Sequence, residues 1–468
     1  MREYQIKIDP FPFIALQELR IEQEINKHGK AWIAMRIKDE WKNTYMNTLL
    51  EETWVRIIGK GEDEDGYNDL YAVIFCGLVT DFSFCLDGYE TLLRLEVTSG
   101  SIKMDRMPHF RVFQNADSLC GGICRQLAEG YSEGRAAYME GGQTKTDGVM
   151  IQYEETDWEF LKRMANKTGG YLVSDAAGKG VGYTVGLPAG IPREISEEKI
   201  KIKFDREEYM RKVCNGMRSL RAADMQEFII SMREIWRMGD SVRYQGKDYF
   251  VWKIDTEYKR AECIHTYYLR TKEALRTVPS THQDAAGCSF HAVVTDVRQD
   301  KVQIAIDQDE WRGRDGKKWF LFSTIYSSED GTGWYCMPEV GDSVRLYVPG
   351  KEEESFVISA VHKETDSARQ NPDYKSWKTK YGKEILFTPG AILITNNQGM
   401  MVEMDDKDGI TIASDRDIVI EAEDNLTIAS ANASLLIAAE DTLQIKQGGT
   451  SMTLDKDIIF TGGEFRIQ

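Results

Sequence analysis

The sequence predicts a mainly β protein with a helical insert, in which β-barrel domains are followed by an OB-type barrel and a C-terminal intertwined trimeric β-helix. Three observations predict it. Short stretches that alternate apolar and polar residues fill 1–105 and 190–280, and amphipathic helical segments lie between them. Five further short strands follow. The chain then repeats pairs of apolar residues from 410 to 454.

The first domain is predicted over 1–280. It comprises two β-barrel units, 1–105 and 190–280, which flank a helical middle, 106–189. Within the first unit, the nearly continuous apolar run Tyr71–Val79 is long enough for a central strand. Many short strands with Gly and Asp at their breaks are typical of an antiparallel barrel.

The main helix of the middle region has clear boundary signals. Thr156 precedes an apolar helix face and Glu159 follows three residues later, which is the spacing of a capping box. Gly169 and Gly170 predict where this helix ends.

The second domain is predicted over 288–365, after a linker at 276–287. Its five short strands, separated by turns, fit a small Greek-key barrel of the OB type. Such barrels often bind single-stranded nucleic acid. This segment is not basic and the whole chain has a net charge of −17, so we expect no nucleic-acid partner.

The third domain, 366–468, is defined by a repeat in which two apolar residues flank one other residue. The steps between successive pairs are 8, 8, 9, 8 and 9 residues, which fit neither a helix nor one long strand. The segment 410–447 contains no glycine, which argues against calcium-binding nonapeptide repeats. The pairs are Ile410/Ile412, Ile418/Ile420, Leu426/Ile428, Leu435/Ile437, Leu443/Ile445 and Met452/Leu454.

One chain cannot bury a stripe of two residues per repeat. We therefore predict that three chains wind around one axis as a triangular β-helix, with these pairs as the core of the trimer. Each buried Ile or Leu would contribute about 1.5–3 kcal/mol. A single-chain solenoid and an aggregation-prone β tail remain as alternatives. From 403 to 468 the chain has 14 acidic and 5 basic residues, so the rod would be anionic and would resist side-by-side association.

The cysteine pattern indicates neither disulfides nor a metal. Eight cysteines are scattered along the chain, which favours assembly in a reducing cytoplasm. Cys120 and Cys124 are the one close pair, with His109 as their nearest candidate partner, so we expect no metal site. No apolar run reaches the roughly 18 residues of a membrane span, and we expect no secretory signal.

Three short motifs and the domain order carry a family resemblance. Residues 152–165, QYEETDWEFLKRMA, contain a Tyr, an acidic step and an aromatic-Phe-Leu helix, and residues 75–80, FCGLVT, have a Gly-hydrophobic-Val-Thr pattern. In the predicted OB barrel, a Trp precedes a Pro-Glu-Val-Gly-Asp run. That OB motif comprises Trp334, Pro338, Glu339, Val340, Gly341 and Asp342. Together these features resemble the VgrG family and the phage tail hub and spike proteins.

The resemblance implies a structural part of a contractile injection system: a phage tail, a tailocin or a type VI-like machine. Such a protein is a homotrimer whose baseplate hub links the inner tube to a membrane-puncturing needle. Its implied partners are inner-tube and baseplate proteins, a PAAR-like tip protein, effector cargo and the target cell envelope. We expect Phe465 and Ile467 to contact the tip protein. The particle would assemble in the cytoplasm and be delivered outside, or into a target cell, on contraction.

The sequence departs from larger members of that family. The segment 364–383 is too short for the lysozyme domain that some spikes carry, and the last histidine, His362, precedes the needle, so no His-x-His iron site is expected. The chain stops at Gln468, so no effector domain is expected after the needle.

We expect no enzyme, no catalytic residue and no cofactor. The sequence contains no Gly-x-Ser-x-Gly elbow, His-Glu-x-x-His helix or phosphate loop. Two alternatives remain: a trimeric β-stalk adhesin or binding module, and a hydrolase with an unrecognised site.

Overall fold

The computed structural model describes residues 6–62, 69–87, 90–146, 148–195, 200–259, 262–279, 284–312, 314, 316–360 and 371–463. The chain divides into two compact units, Met1–Lys363 and Glu364–Gln468. No helix of the described residues is long and apolar enough to cross a membrane.

The first unit is built mainly from short strands. Its strands are β1 Ile6–Asp9, β2 Ala15–Glu24, β3 Lys30–Ile37, β4 Trp54–Glu62, β5 Asp69–Asp87, β6 Glu90–Thr98, β7 Pro108–Phe113, β8 Arg135–Tyr138, β9 Met150–Thr156, β10 Leu172–Ser174, β11 Gly182–Val185, β12 Pro192–Arg193, β13 Lys201–Phe204, β14 Gln226–Met232, β15 Ser241–Tyr244, β16 Lys247–Lys259, β17 Glu262–Arg270, β18 Ser289–Arg298, β19 Lys301–Ile306, β20 Phe320–Leu321, β21 Ser343–Tyr347 and β22 Phe356–Ile358. Its helices are α1 Lys42–Leu49, α2 Cys120–Glu129, α3 Asp157–Lys167, α4 Arg206–Cys214 and α5 Lys272–Leu275.

A twelve-stranded sheet dominates this unit, in the order β1-β4-β5-β6-β3-β2-β16-β17-β14-β13, with β15 beside β16 and β12 beside β15. The sequence predicted two β-barrel units, 1–105 and 190–280. The strands of both segments join in one sheet, because β2 and β16 pair antiparallel from Leu19↔Tyr258 to Glu24↔Lys253. The mainly β fold class with a helical insert is confirmed.

Alternation explains why these strands pack. In β3, Ala31, Ile33 and Met35 are buried, and they join a core formed with β2, β4, β5 and β6. A separate core forms around β14, β16 and β17, and includes Phe228, Val251 and Tyr267. These two apolar clusters hold the two ends of the sheet.

The helical middle packs α2 and α3 against a small sheet of order β10-β11-β8. The predicted capping box is confirmed: Glu159 N donates to Thr156 Oγ1 at 3.2 Å, and Thr156 N donates to Glu159 Oε2 at 3.0 Å. Gly169 adopts a positive φ of 74° just after this helix, as its C-terminal signal requires.

A five-stranded sheet, β20-β19-β18-β21-β22, occupies the predicted OB segment. An isolated bridge between Phe322 and Val357 joins its two edges. The third strand of this segment, β20, is only two residues long. Beyond it the chain bonds to itself in a loop, where Trp334 N donates to Tyr326 O at 2.8 Å.

The second unit is an antiparallel series. Its strands are β23 Lys375–Lys378, β24 Glu384–Thr388, β25 Ala391–Thr395, β26 Met401–Asp405, β27 Gly409–Ala413, β28 Leu443–Gln447, β29 Thr450–Leu454 and β30 Ile458–Thr461. The first five and the last three form separate sheets. Residues 414–442 contain no strand, and no segment among the described residues pairs with their backbone in a sheet.

Candidate functional site

A two-stranded ribbon, β7 with β9, joins the helical middle to the small barrel. Its strands pair from Pro108↔Thr156 to Phe113↔Met150. Because side chains alternate across a strand, its two faces enter different cores. Phe113 and Met150 pack with α2 and α3, whereas Val112 and Ile151 pack with the barrel strands. The ribbon therefore belongs to both cores, and we call this region the joint.

Buried charges reinforce the joint. Arg163 of α3 is only 7% exposed; its Nε donates to Glu155 Oε1 at 2.7 Å and its Nη1 to Glu352 Oε2 at 2.8 Å. Glu352 lies in a 3₁₀ turn before β22 and is 4% exposed, and its Oε1 accepts from Ile151 N at 2.7 Å. Burial disfavours the charged guanidinium, but the two carboxylates outweigh burial and raise the pKa of Arg163.

A barrel loop provides a second connection. Asp309 Oδ1 accepts hydrogen bonds from Val112 N at 2.9 Å and from Trp311 N at 2.8 Å. Burial raises the pKa of the Asp309 carboxyl, which these two hydrogen bonds partly offset. The adjacent Glu310 N donates to Phe110 O at 3.0 Å, so the loop adds backbone pairing to β7.

Asp157 fixes the ribbon to the start of α3. Its Oδ1 accepts from Arg111 Nη1 at 2.5 Å and from Gln152 Nε2 at 2.9 Å, and its Oδ2 accepts from Tyr131 OH at 2.7 Å. Burial, together with the Asp157 carboxylate, raises the pKa of Tyr131. The three side chains that donate hydrogen bonds to Asp157 come from different segments of the chain. A fully hydrogen-bonded buried network of this kind makes the joint rigid.

One side-chain group has the composition of a catalytic triad. His28 Nδ1 lies 2.8 Å from Ser101 Oγ, and His28 Nε2 lies 3.2 Å from Asp105 Oδ2. A nucleophile must reach its substrate, but Ser101 is 0% exposed. Its hydroxyl also lies 2.9 Å from Ser99 Oγ, which accepts from Gly29 N at 3.0 Å. The group therefore holds the entry into β3.

Several solved structures have a fold similar to that of this chain. The VgrG of a Francisella PdpA–VgrG complex in its half-lidded form matches at a TM-score of 0.55 and 9% identity, over 88% of this chain and 87% of that one. The lidless form of that complex matches at 0.53 and 8% identity, over 88% and 98%.

The chain has a VgrG-type fold.

An Escherichia coli component of the type VI secretion system, described as similar to T4 bacteriophage tail proteins, matches at a TM-score of 0.49 and 13% identity over 76% of this chain and 100% of that one. No protein-family model and no curated protein matches the sequence. The VgrG-type fold thus confirms the resemblance drawn from the motifs.

Within the VgrG-type fold, the predicted OB motif forms the turn that enters β21. Gly341 N donates to Val294 O at 2.9 Å, and Asp342 Oδ2 accepts from Glu339 N at 2.8 Å. Gly341 has a φ of 98°, which disfavours side chains. Pro338 is buried, but Trp334 and Val340 are 48% and 63% exposed. The turn at Pro338, Gly341 and Asp342 closes the barrel. Trp334 and Val340 leave an apolar surface uncovered.

The predicted trimer-core residues are uncovered in the single chain. Nine of the twelve are more than half exposed: Ile410, Ile412, Ile418, Ile420, Leu426, Ile428, Leu435, Ile437 and Ile445. Leu443, Met452 and Leu454 are partly buried. The single chain does not enclose them, so their role as a trimer core stays a prediction.

Two further predictions concern the tip-protein contacts and a metal site. Phe465 and Ile467, the expected contacts for a tip protein, lie outside the described residues. Among the residues that the structure describes, no group of three or more His, Cys, Asp or Glu side chains could hold a metal ion.

The sequence reasoning missed the joint. The signal was present in the alternation of residues 108–113 and 149–156, where apolar residues occur on both faces of each strand. Such a pattern indicates a strand buried on both sides. The ion pair between Arg163 and Glu352 had no such signal, because its two residues are far apart in sequence.

Proposed function

We propose that the chain is the structural hub and spike of a contractile injection system, working as a homotrimer. The hub, in the first unit, would dock on inner-tube and baseplate proteins. The second unit would form the needle with two further copies. A PAAR-like protein would cap that needle, effector cargo would travel with it, and contraction would drive it into the target cell envelope.

The observation that carries this proposal is the exposure of an ordered apolar repeat. Ile418 and Ile420 are 53% and 63% exposed, and Leu435 and Ile437 are 53% and 58% exposed. Soluble monomers rarely expose long contiguous apolar surfaces, so a partner is needed to cover this one. The partner that matches a repeat of constant step best is the same repeat, from another copy of this chain.

The joint supports a mechanical role. A spike must transmit an axial force without bending between its barrel and its hub. Breaking a buried ion pair such as Arg163–Glu352 costs about 3–5 kcal/mol, because one charge is left uncompensated. Together with the two-faced ribbon, this ion pair would resist bending between the barrel and the helical middle. We therefore infer mechanical work rather than catalysis.

The first experiment is to measure the mass of the full-length protein by light scattering, beside a truncation ending at Lys363. We expect about 160 kDa, three times the 53.5 kDa of one chain, and weaker or absent trimerisation for the truncation. A full-length monomer at micromolar concentration would contradict the proposal and would favour a single-chain solenoid. A trimer that binds a cell-surface glycan, but no inner-tube protein, would favour an adhesin.

A further inference from the structure

A cavity of about 720 Å³ lies in the first unit, inside the curve of the twelve-stranded sheet. Ile74 of β5 and Ile254 of β16 both line it, although β6, β3 and β2 lie between those strands in the sheet. The sheet therefore curls around the cavity. Tyr183, from the small sheet of the helical middle, also lines the cavity. Barrel mouths of this kind, at volumes of about 300–1,000 Å³, are common ligand sites.

Small side chains create the space. The wall includes Ala136, Ala137, Ala176, Ala177, Gly182 and Ala189. Protein interiors are close-packed and rarely leave voids larger than a water molecule. A wall of alanines therefore leaves room for an apolar body several atoms wide.

The cavity lining has more arginine than aspartate side chains. Arg135 pairs with Asp175 at 3.1 Å, and Arg193 pairs with Asp240 at 2.9 Å. Arg237 also lines the cavity and is exposed, and its guanidinium has no ion pair with any residue that the structure describes. One cation is thus left over, and it is free to bind an anion that enters from solvent.

The deep end of the cavity is neutral. His265 lines it and is 1% exposed, with Nδ1 lying 2.8 Å from the Thr256 hydroxyl. Burial lowers the pKa of His265 to about 4, so the ring is uncharged near neutral pH. Its Nε2 has no hydrogen-bond partner among the described residues. His265 therefore brings an uncharged polar atom to the lining, and Arg237 brings its unpaired charge.

We propose that this cavity binds a small organic anion with an apolar body. The apolar part lies against the alanine wall near His265, and the anionic group binds the Arg237 guanidinium. Guanidinium groups form strong charge-assisted hydrogen bonds with carboxylates. The inference is independent of the hub-and-spike proposal, because it rests on the first unit alone.

The test is calorimetric titration of 2-naphthoate into the full-length protein. We expect a dissociation constant below about 1 mM. Arg237→Gln should weaken binding about tenfold, the size of one charge-assisted contact. Arg243→Gln is the matched control, because Arg243 is an exposed arginine that does not line the cavity. The uncharged 2-naphthamide should bind about tenfold more weakly than 2-naphthoate.

A blocking variant separates this site from adventitious binding to the exposed apolar repeat. Ala189 is exposed, so Ala189→Trp adds bulk at the opening without entering a core, and it should abolish binding. Ala177→Trp, at another exposed lining position, repeats the test if the first variant folds poorly. Undiminished binding by a folded blocking variant overturns the site. Equal affinities of Arg237→Gln and Arg243→Gln overturn the anion assignment, and no binding of 2-naphthoate overturns both.

Discussion

Arg163 and Glu352 form a buried ion pair at 2.8 Å, between the main helix of the helical middle and a turn of the small barrel. Glu352 also accepts the Ile151 backbone N–H at 2.7 Å, so one carboxylate serves a helix and a strand. Removing it would leave both a cation and an amide short of a partner. Glu352 therefore joins α3, β9 and the turn before β22.

Glu352→Ala should therefore lower the free energy of unfolding of the first unit by about 3 kcal/mol. Denaturant unfolding followed by tryptophan fluorescence would measure the loss. Glu354→Ala is the matched control: Glu354 is 60% exposed and lies 4.0 Å from Lys351, so its loss should be within about 0.5 kcal/mol. Equal effects of the two substitutions would argue against a buried pair that fixes the barrel.

Gly341→Ala should destabilise the small barrel by about 1 kcal/mol or more, because the φ of 98° is unfavourable for any residue with a Cβ. The control is Gly350→Ala, where φ is ordinary and an added Cβ meets no atom within 4 Å. Comparing thermal unfolding midpoints of the two variants would test this. A midpoint for Gly341→Ala at or above that of the wild type would show that the turn tolerates a side chain.

Ile420→Asp should convert the proposed trimer into monomers at micromolar concentration. Three carboxylates would meet in its core, and burying an uncompensated charge costs several kcal/mol. Val419→Asp is the neighbouring control, since in the proposed trimer the two residues would be successive on one strand, where side chains point to opposite sides, and Val419 would face solvent. Light scattering on both variants measures the mass. A trimeric Ile420→Asp, or a monomeric Val419→Asp, would contradict the predicted inward face.

Acidification should weaken the first unit partly through His265. Burial lowers its pKa from the ordinary 6.5 to about 4. As the pH falls from 7 towards 4, the unfolded chain takes up a proton at this residue before the folded chain does. Stability is therefore lost, by up to about 3 kcal/mol.

The contribution of His265 can be isolated by a variant. The unfolding free energy of the wild type minus that of His265→Gln should fall between pH 7.5 and pH 5, because only the wild type has this histidine to protonate on unfolding. The carboxylates titrate equally in both proteins and cancel in the difference. The exposed His291 offers the control substitution His291→Gln, which also removes one histidine but leaves the buried site intact. A difference for His265→Gln that stays constant with pH would show that the histidine is not held neutral.

Local sequence patterns were enough to predict some of the helices and strands. Thr156 and Glu159 predicted a helix start, and the capping box is present because its hydrogen bonds join residues three positions apart. Alternation likewise indicated β18, β19 and β21 of the small barrel. Pairing between remote strands was not visible: Leu19 of β2 meets Tyr258 of β16, and this contact unites the two predicted barrels in one sheet.

The sequence by itself determined the mainly β class, the capped helix and the apolar repeat, because each is encoded by spacing over a few residues. Only the tertiary structure decided that β7 and β9 share two cores, that Arg163 meets Glu352, and that Arg237 and His265 line one cavity. These relationships join residues distant in sequence. They depend on how the sheet curves and on which faces pack, and no local period of the sequence specifies either.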